Sequence, residues 1–192
     1  MNRKRISWLL AALLLAVLAV HRDVRAQTGT LQGTFTYVAD KSDNVDQAVE
    51  IAVSKLNFFV RSLARTRLRE MNAPYQRIAI ELTPTQVTIT GDRSAPIRTP
   101  PDGTPGVWTD ADAGVFQVST RWEGSVLKQE FSAKQGQRIN AYAVSPDGET
   151  LTLQVTVSSQ RLKAPVTYRL VYRRAFGRPI AMAGPQHRVH SA

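Results

Sequence analysis

QVSTRWEGSVLKQEFSA, Gln117 to Ala133, decides how this chain is read. Apolar and polar residues alternate on both sides of Glu123-Gly124, as in two antiparallel strands joined by a tight turn. Side chains two apart share a face of a strand. Val118, Thr120 and Trp122 therefore point one way, and Leu127, Gln129 and Phe131 join them. Most of that face is apolar and belongs in a core. Thr120 and Gln129 do not, because a buried polar side chain costs free energy unless it is bonded.

The neighbouring turns extend the pattern. A two-residue Glu123-Gly124 turn pairs Trp122 with Ser125, Thr120 with Leu127 and Phe116 with Phe131. A three-residue Lys134-Gln135-Gly136 turn, with Gly136 left-handed, sets Phe131 opposite Ile139 and Gln129 opposite Ala141. The SPDG stretch, Ser145 to Gly148, is a turn that sets Ala143 opposite Leu151 and Ala141 opposite Leu153. Ile139, Ala141 and Ala143 then join the inner face, with Leu151, Leu153, Val155, Val157, Val166, Tyr168, Leu170 and Tyr172. Arg138 and Asn140 fall on the solvent side. Strands are predicted at about 31–38, 76–83, 86–90, 114–122, 125–133, 137–144, 149–158 and 165–174, with a short one at Ile97. Residues 91–106, rich in Pro and Gly, read otherwise as loop.

After the first strand, Val45, Ala48, Val49, Ala52, Leu56, Phe59 and Leu63 recur at helical spacing. One helix is predicted over about 43–71. Ser42 or Asp43 caps it, Asp46 lies in its first turn, and Arg61, Arg65, Arg67 and Arg69 stand toward its C-terminus, where the helix dipole favours cations. Pro74 stops it.

Outside this region the chain has two ends of different character. Residues 1–26 combine a basic start, MNRKR, with the apolar run ISWLLAALLLAVLAV and small residues before Gln27. That is the pattern of a cleavable signal peptide, cut after Ala26, and it predicts a periplasmic or secreted protein. Residues 176–192 lack periodicity and are expected to be disordered. The domain, 27–175, is long enough for one core. Of 25 basic and 15 acidic residues, the leader holds five and one, leaving a net charge of +6. That balance gives poor support to nucleic-acid binding and suits an anionic envelope surface. There is no cysteine, so burial alone stabilises the fold.

The chemistry absent from the domain narrows its function. His21 lies in the leader, and His187 and His190 in the tail. Ser-His and Cys-His nucleophiles are therefore excluded from the domain. No phosphate-binding glycine loop occurs, and no cofactor or metal is expected. Asp110 and Asp112 have a calcium-like spacing but too few other ligands, and read as a turn. No two carboxylates are placed as a glycosidase pair. An enzyme is not expected.

Gly33-Thr34-Phe35 on the first strand is similar to the Gly-x-Trp motif of the calycins, the lipocalins and fatty-acid-binding proteins. The last strand ends in Arg173-Arg174, where such barrels often keep an arginine packed across the motif aromatic. The meander resembles their up-and-down barrel. The helix directly after the first strand resembles the fatty-acid-binding proteins, whose helices cap the barrel mouth. Residues 31–174 also resemble exported bacterial lipocalin-like proteins of no assigned activity. The resemblance implies a mainly β, up-and-down antiparallel barrel with one α-helical segment inserted after the first strand. It implies non-covalent binding of a small, largely apolar molecule or lipid. Trp122, Thr120, Gln129, Tyr168 and Tyr172 are the expected lining, with Phe59 over the mouth. The alternative is an envelope structural or interaction protein whose barrel is solid.

Overall fold

The computed structural model describes residues 31–110 and 114–175. The expected signal peptide, the tail, its two histidines and Asp112 lie outside them. Ten strands follow in order: β1 (Gly33–Tyr37), β2 (Arg77–Leu82), β3 (Val87–Gly91), β4 (Ile97–Thr99), β5 (Gly106–Asp110), β6 (Gly114–Glu123), β7 (Val126–Ala133), β8 (Gly136–Val144), β9 (Thr150–Ser159) and β10 (Val166–Arg174). A single 3₁₀ turn (Ala39–Lys41) and two helices, α1 (Val45–Val53) and α2 (Phe58–Asn72), stand between β1 and β2.

All the strands join one antiparallel sheet in the order β4-β3-β2-β1-β10-β9-β8-β7-β6-β5. β1 pairs with both β2 and β10, which rolls the meander into a barrel. The roll stops short of a complete ladder. β4 and β5 come together without pairing, and the connection between them bridges the seam to β6. Thr99 donates its hydroxyl to Thr120 Oγ1 at 2.7 Å, and Gly103 N–H donates to the Thr120 carbonyl at 2.8 Å. Two potential edges are thereby covered.

The opening hairpin keeps its predicted face but moves by two residues. The loop is Gly124-Ser125, with Gly124 at φ +62° and Glu123 paired with Val126. Positive φ at the first central residue suits a type II′ turn, which matches the twist of the strands. Thr120 thus lies directly opposite Gln129, and Trp122 opposite Leu127.

The next strand corrects the sequence reading. The loop between β7 and β8 has two residues, Lys134-Gln135, and Ala133 pairs with Gly136. Phe131 therefore faces Arg138 rather than Ile139, and Gln129 faces Asn140 rather than Ala141. A slip of one residue inverts a strand. Arg138, Asn140 and Tyr142 turn inward, while Ile139, Ala141 and Ala143 lie half-buried on the outer face. The Ser145 turn is offset by one in compensation: Val144, not Ala143, pairs with Leu151. Gly148 is left-handed at φ +78°, whereas Gly136, expected to be left-handed, is not. The two offsets cancel, so β9 and β10 keep the inner faces predicted for them.

Two further differences concern the segments before β6. The helical segment is two helices, broken at Ser54–Asn57. Asn44 caps α1 by accepting from Gln47 N–H at 3.0 Å, and Asn57 caps α2 by accepting from Phe59 N–H at 3.2 Å. The break restarts the helix in a new direction, so the apolar stripe of α1 (Val45, Val49, Ala52, Val53) is buried while Phe59 and Leu63 are exposed. β5 is a strand that the sequence reading does not place, since none is predicted there between Ile97 and about residue 114. Its Trp108 stacks with Phe116 and Phe131, ring centroids 5.8 and 6.0 Å away.

At the opposite end of the chain's path the expected cross-barrel pair is formed. The Arg174 guanidinium lies over the Phe35 ring, 4.6 Å from its centroid. Arg174 also donates to the carbonyls of Gly148 at 2.6 Å and Gln32 at 2.8 Å. One side chain thus ties β10 to the start of β1 and to the β8–β9 turn. Gly33 makes room for it: its φ is +146°, and a Cβ there would run into the guanidinium. Gly33→Ala should lower stability by more than about 1 kcal/mol, read from the urea midpoint. An unchanged midpoint would show that this clamp is dispensable.

Candidate binding site inside the barrel

The polar residues of the opening hairpin belong to a row that runs from strand to strand. Thr120 pairs with Gln129, Gln129 with Asn140, Asn140 with Val155, and Val155 with Tyr168. Thr99 extends the row across the seam through its bond to Thr120. Each is inward and buried: Thr120 and Gln129 are 0% exposed and Tyr168 is 1%. Apolar rows lie on either side, Val118–Phe131 and Trp122–Leu127. A polar belt is thus held inside an apolar wall.

Asn140 and Arg138 reach this interior because of the two-residue turn before β8. Arg138 Nε donates to Asn140 Oδ1 at 2.8 Å, and its terminal nitrogen donates to Asn72 Oδ1 at 3.0 Å and to the Met71 carbonyl at 3.3 Å. Tyr168 donates its hydroxyl to the same Asn72 oxygen at 2.9 Å. Asn140 Nδ2 donates to the Tyr142 hydroxyl at 3.1 Å, which makes a long 3.4 Å contact with Gln129 Oε1. Asn72 Nδ2 donates to Leu68 O at 2.7 Å. The belt, Arg138 and the last residue of α2 form one network.

Its free capacity is lopsided. The side-chain amide oxygens of Asn72, Asn140 and Gln129 each accept at least one bond. Among the described residues five buried side-chain polar atoms lack a partner, at Arg61, Ser94, Trp108, Gln129 and Tyr172. Two of them, Gln129 Nε2 and the Tyr172 hydroxyl, belong to fully buried residues of the barrel's inner face. Gln129 Nε2 can only donate, and the hydroxyl can donate its proton. Leaving such a group unbonded costs about 1–3 kcal/mol. Among the described residues no carboxylate pairs with Arg138. The interior therefore offers donors and a positive charge without a built-in anion.

The tyrosines are held neutral. Burial pushes the Tyr142 hydroxyl up to about 12, against the lowering effect of Arg138. Burial also raises Tyr168 and Tyr172. All three remain donors at neutral pH.

The structure brings together three of the six residues expected from sequence, Thr120, Gln129 and Tyr168. Tyr172 is buried on the same inner face two rows away, opposite Leu151. Trp122 is half-buried and packs against the main core one row away. Phe59 is 88% exposed and does not reach the interior. Asn72, Arg138, Asn140, Tyr142 and Thr99 were not expected there. The bulk of Tyr142 was the available signal for the inverted face of β8.

Neither a protein-family model nor a curated protein sequence matches the chain. Solved structures do. A REP1-NXSQ fatty acid transporter is 14% identical, with a TM-score of 0.51, over 77% of this chain and 98% of its own. A Schistosoma mansoni fatty acid binding protein in complex with arachidonic acid is 13% identical, with a TM-score of 0.51, over 78% and 99%. A secretary abundant heat soluble protein of Ramazzottius varieornatus is 13% identical, with a TM-score of 0.53, over 76% and 96%. The fold is that of the fatty-acid-binding-protein barrel. At these identities the likeness extends to the path of the chain and no further.

The tyrosines give the site a signature in pH. An unfolded tyrosine titrates near pH ~10, so above that value the unfolded chain releases protons before the folded one does. Stability should be intact below about pH 10 and fall as pH rises toward the raised value of about 12 at Tyr142. Urea midpoints measured across this range should show the fall, and Tyr142→Phe should reduce it. A wild-type midpoint independent of pH would contradict the burial of these hydroxyls.

Proposed function

We propose that the barrel binds, without covalent chemistry, one small molecule with a largely apolar body and an acceptor or anionic head. The supporting observation is the pair of unpartnered buried groups, Gln129 Nε2 and the Tyr172 hydroxyl, in an interior whose cation, Arg138, has no carboxylate partner among the described residues. An acceptor head can bond donors of this kind, and the apolar rows suit a hydrocarbon body. The fold's appearance in a fatty acid transporter and in a fatty acid binding protein in complex with arachidonic acid supports the same class. The tripartite pattern of residues 1–26 supports an exported setting, periplasmic or secreted; an intact mass beginning at Gln27 is the expected check.

Titration with oleate and with oleyl alcohol tests the reading. Oleate should bind one to one. Arg138→Leu should weaken oleate by about tenfold or more, equivalent to ~1.4 kcal/mol, and leave oleyl alcohol within about threefold. Equal losses for the two, in a variant that still melts cooperatively, would remove Arg138 from the head-group site.

A second reading, an envelope-interaction protein, has its own observation. Phe58, Phe59, Val60 and Leu63 on α2 and Ile51 on α1 are exposed side chains around one helical corner. Salt-sensitive capture by anionic vesicles, together with no uptake of oleate, would favour it.

A further inference from the structure

α2 is fastened to the barrel by very little. Of its fifteen residues only Asn72 is buried, with Arg61, Ala64, Arg65 and Leu68 partly so, and Arg61 donates to the carbonyls of Ser54 and Leu56 in the linker. On its α1 side it is held by ion pairs at the surface: Arg65 to Glu50 at 2.5 Å, and Arg69 to Glu50 at 3.0 Å and Asp46 at 3.1 Å. Water and salt screen such pairs. Breaks in the helix flank both ends, at Ser54–Asn57 and at Ala73-Pro74. The connection into the barrel interior is the Asn72 side chain, with the Arg138 contact to the Met71 carbonyl beside it.

The position of that side chain is informative. Asn72 Oδ1 is a neutral acceptor set between a guanidinium nitrogen at 3.0 Å and a tyrosine hydroxyl at 2.9 Å. A ligand's acceptor head would seek the same two donors. Arg138 has other N–H groups to spare, but Tyr168 has a single hydroxyl proton. It can bond Asn72 or the head group, not both.

Resting on the carrier reading above, we infer that Asn72 is a built-in competitor for the head-group position and the latch of α2. A bound head group takes the Tyr168 proton and shares Arg138. Asn72 then loses the bonds that hold it in the interior, and α2 is left with its surface ion pairs and the partial packing of Ala64 and Leu68. Filling the barrel therefore loosens the helix beside its mouth, and vacating it lets the helix relatch. Apparent affinity is reduced to the fraction of molecules in the unlatched state.

The test combines oleate titration with amide hydrogen exchange over residues 58–72. Asn72→Ala removes the competitor. If the latched state holds about nine molecules in ten, this variant binds oleate ~10-fold more tightly than wild type. Its α2 amides exchange quickly even without oleate. Asn72→Asp replaces the neutral acceptor with a charge that pairs with Arg138, and it should bind oleate more weakly than wild type. In the wild type, oleate should speed exchange in α2. An Asn72→Ala protein that is folded yet binds no tighter, or wild-type α2 exchange that slows on adding oleate, would overturn the inference while the carrier reading stands. If Asn72→Ala fails to fold, the wild-type exchange and the Asn72→Asp affinity decide the matter. Oleate binding to none of these proteins would overturn the carrier reading and the inference together.

Discussion

The interior of this barrel depends on the register of one hairpin. The two-residue loop at Lys134-Gln135 makes Ala133 face Gly136, and from there each side chain of β8 is assigned to a face. One residue more in the loop would bring Ile139, Ala141 and Ala143 inside and expel Arg138, Asn140 and Tyr142. The barrel would then have a smooth apolar interior, with Gln129 and Thr120 stranded in it. With the register as it stands, Gln129 has Asn140 beside it, Asn140 has Tyr142 and Arg138, and the network reaches Asn72 on the helix. Polar groups that would be costly singly are acceptable as a connected set.

That set is incomplete, and the incompleteness is directional. The side-chain oxygens of Asn72, Asn140 and Gln129 are used, while Gln129 Nε2 is left unbonded, as is the Tyr172 hydroxyl beyond the set. Leaving these groups unbonded costs stability that closed bonds, or apolar groups of similar size, would not. The fold carries this load because its other parts are well tied. Arg174 braces Phe35, Gln32 and Gly148, α1 buries a full apolar stripe, and Thr99 joins Thr120 across the unpaired seam. The weakly anchored part is α2, of which only Asn72 is buried.

Much of the architecture was legible in the sequence because it rests on short-range rules. Alternation marked nine of the ten strands, and Gly124 and Gly148 marked their turns by the φ values only glycine adopts easily. The Gly33, Phe35 and Arg174 constellation could be read as well, since a motif glycine and an arginine at the far end of the meander are both visible in one dimension. β5 escaped because five residues between prolines and aspartates carry little period of their own; it forms because β6 offers it an edge. The site was half legible. Thr120, Gln129, Tyr168 and Tyr172 sit on strands whose faces were assigned correctly. Arg138, Asn140 and Tyr142 do not, because the apolar alternative of Ile139 and the two alanines was the more hydrophobic choice, and loop length cannot be read to within one residue. Asn72 was invisible for another reason: a residue at the end of a helix gives no sign that it reaches into a barrel.

The most direct test of this account is native mass spectrometry of the protein as purified from its expressing cells, before any ligand is added, with solvent extraction of what denaturation releases. The account predicts one extra mass per chain, lost on unfolding and identified as an amphiphile with an acidic or acceptor head. A bare polypeptide mass that stays bare after incubation with oleate would contradict it and leave the polar belt as a feature of structure alone.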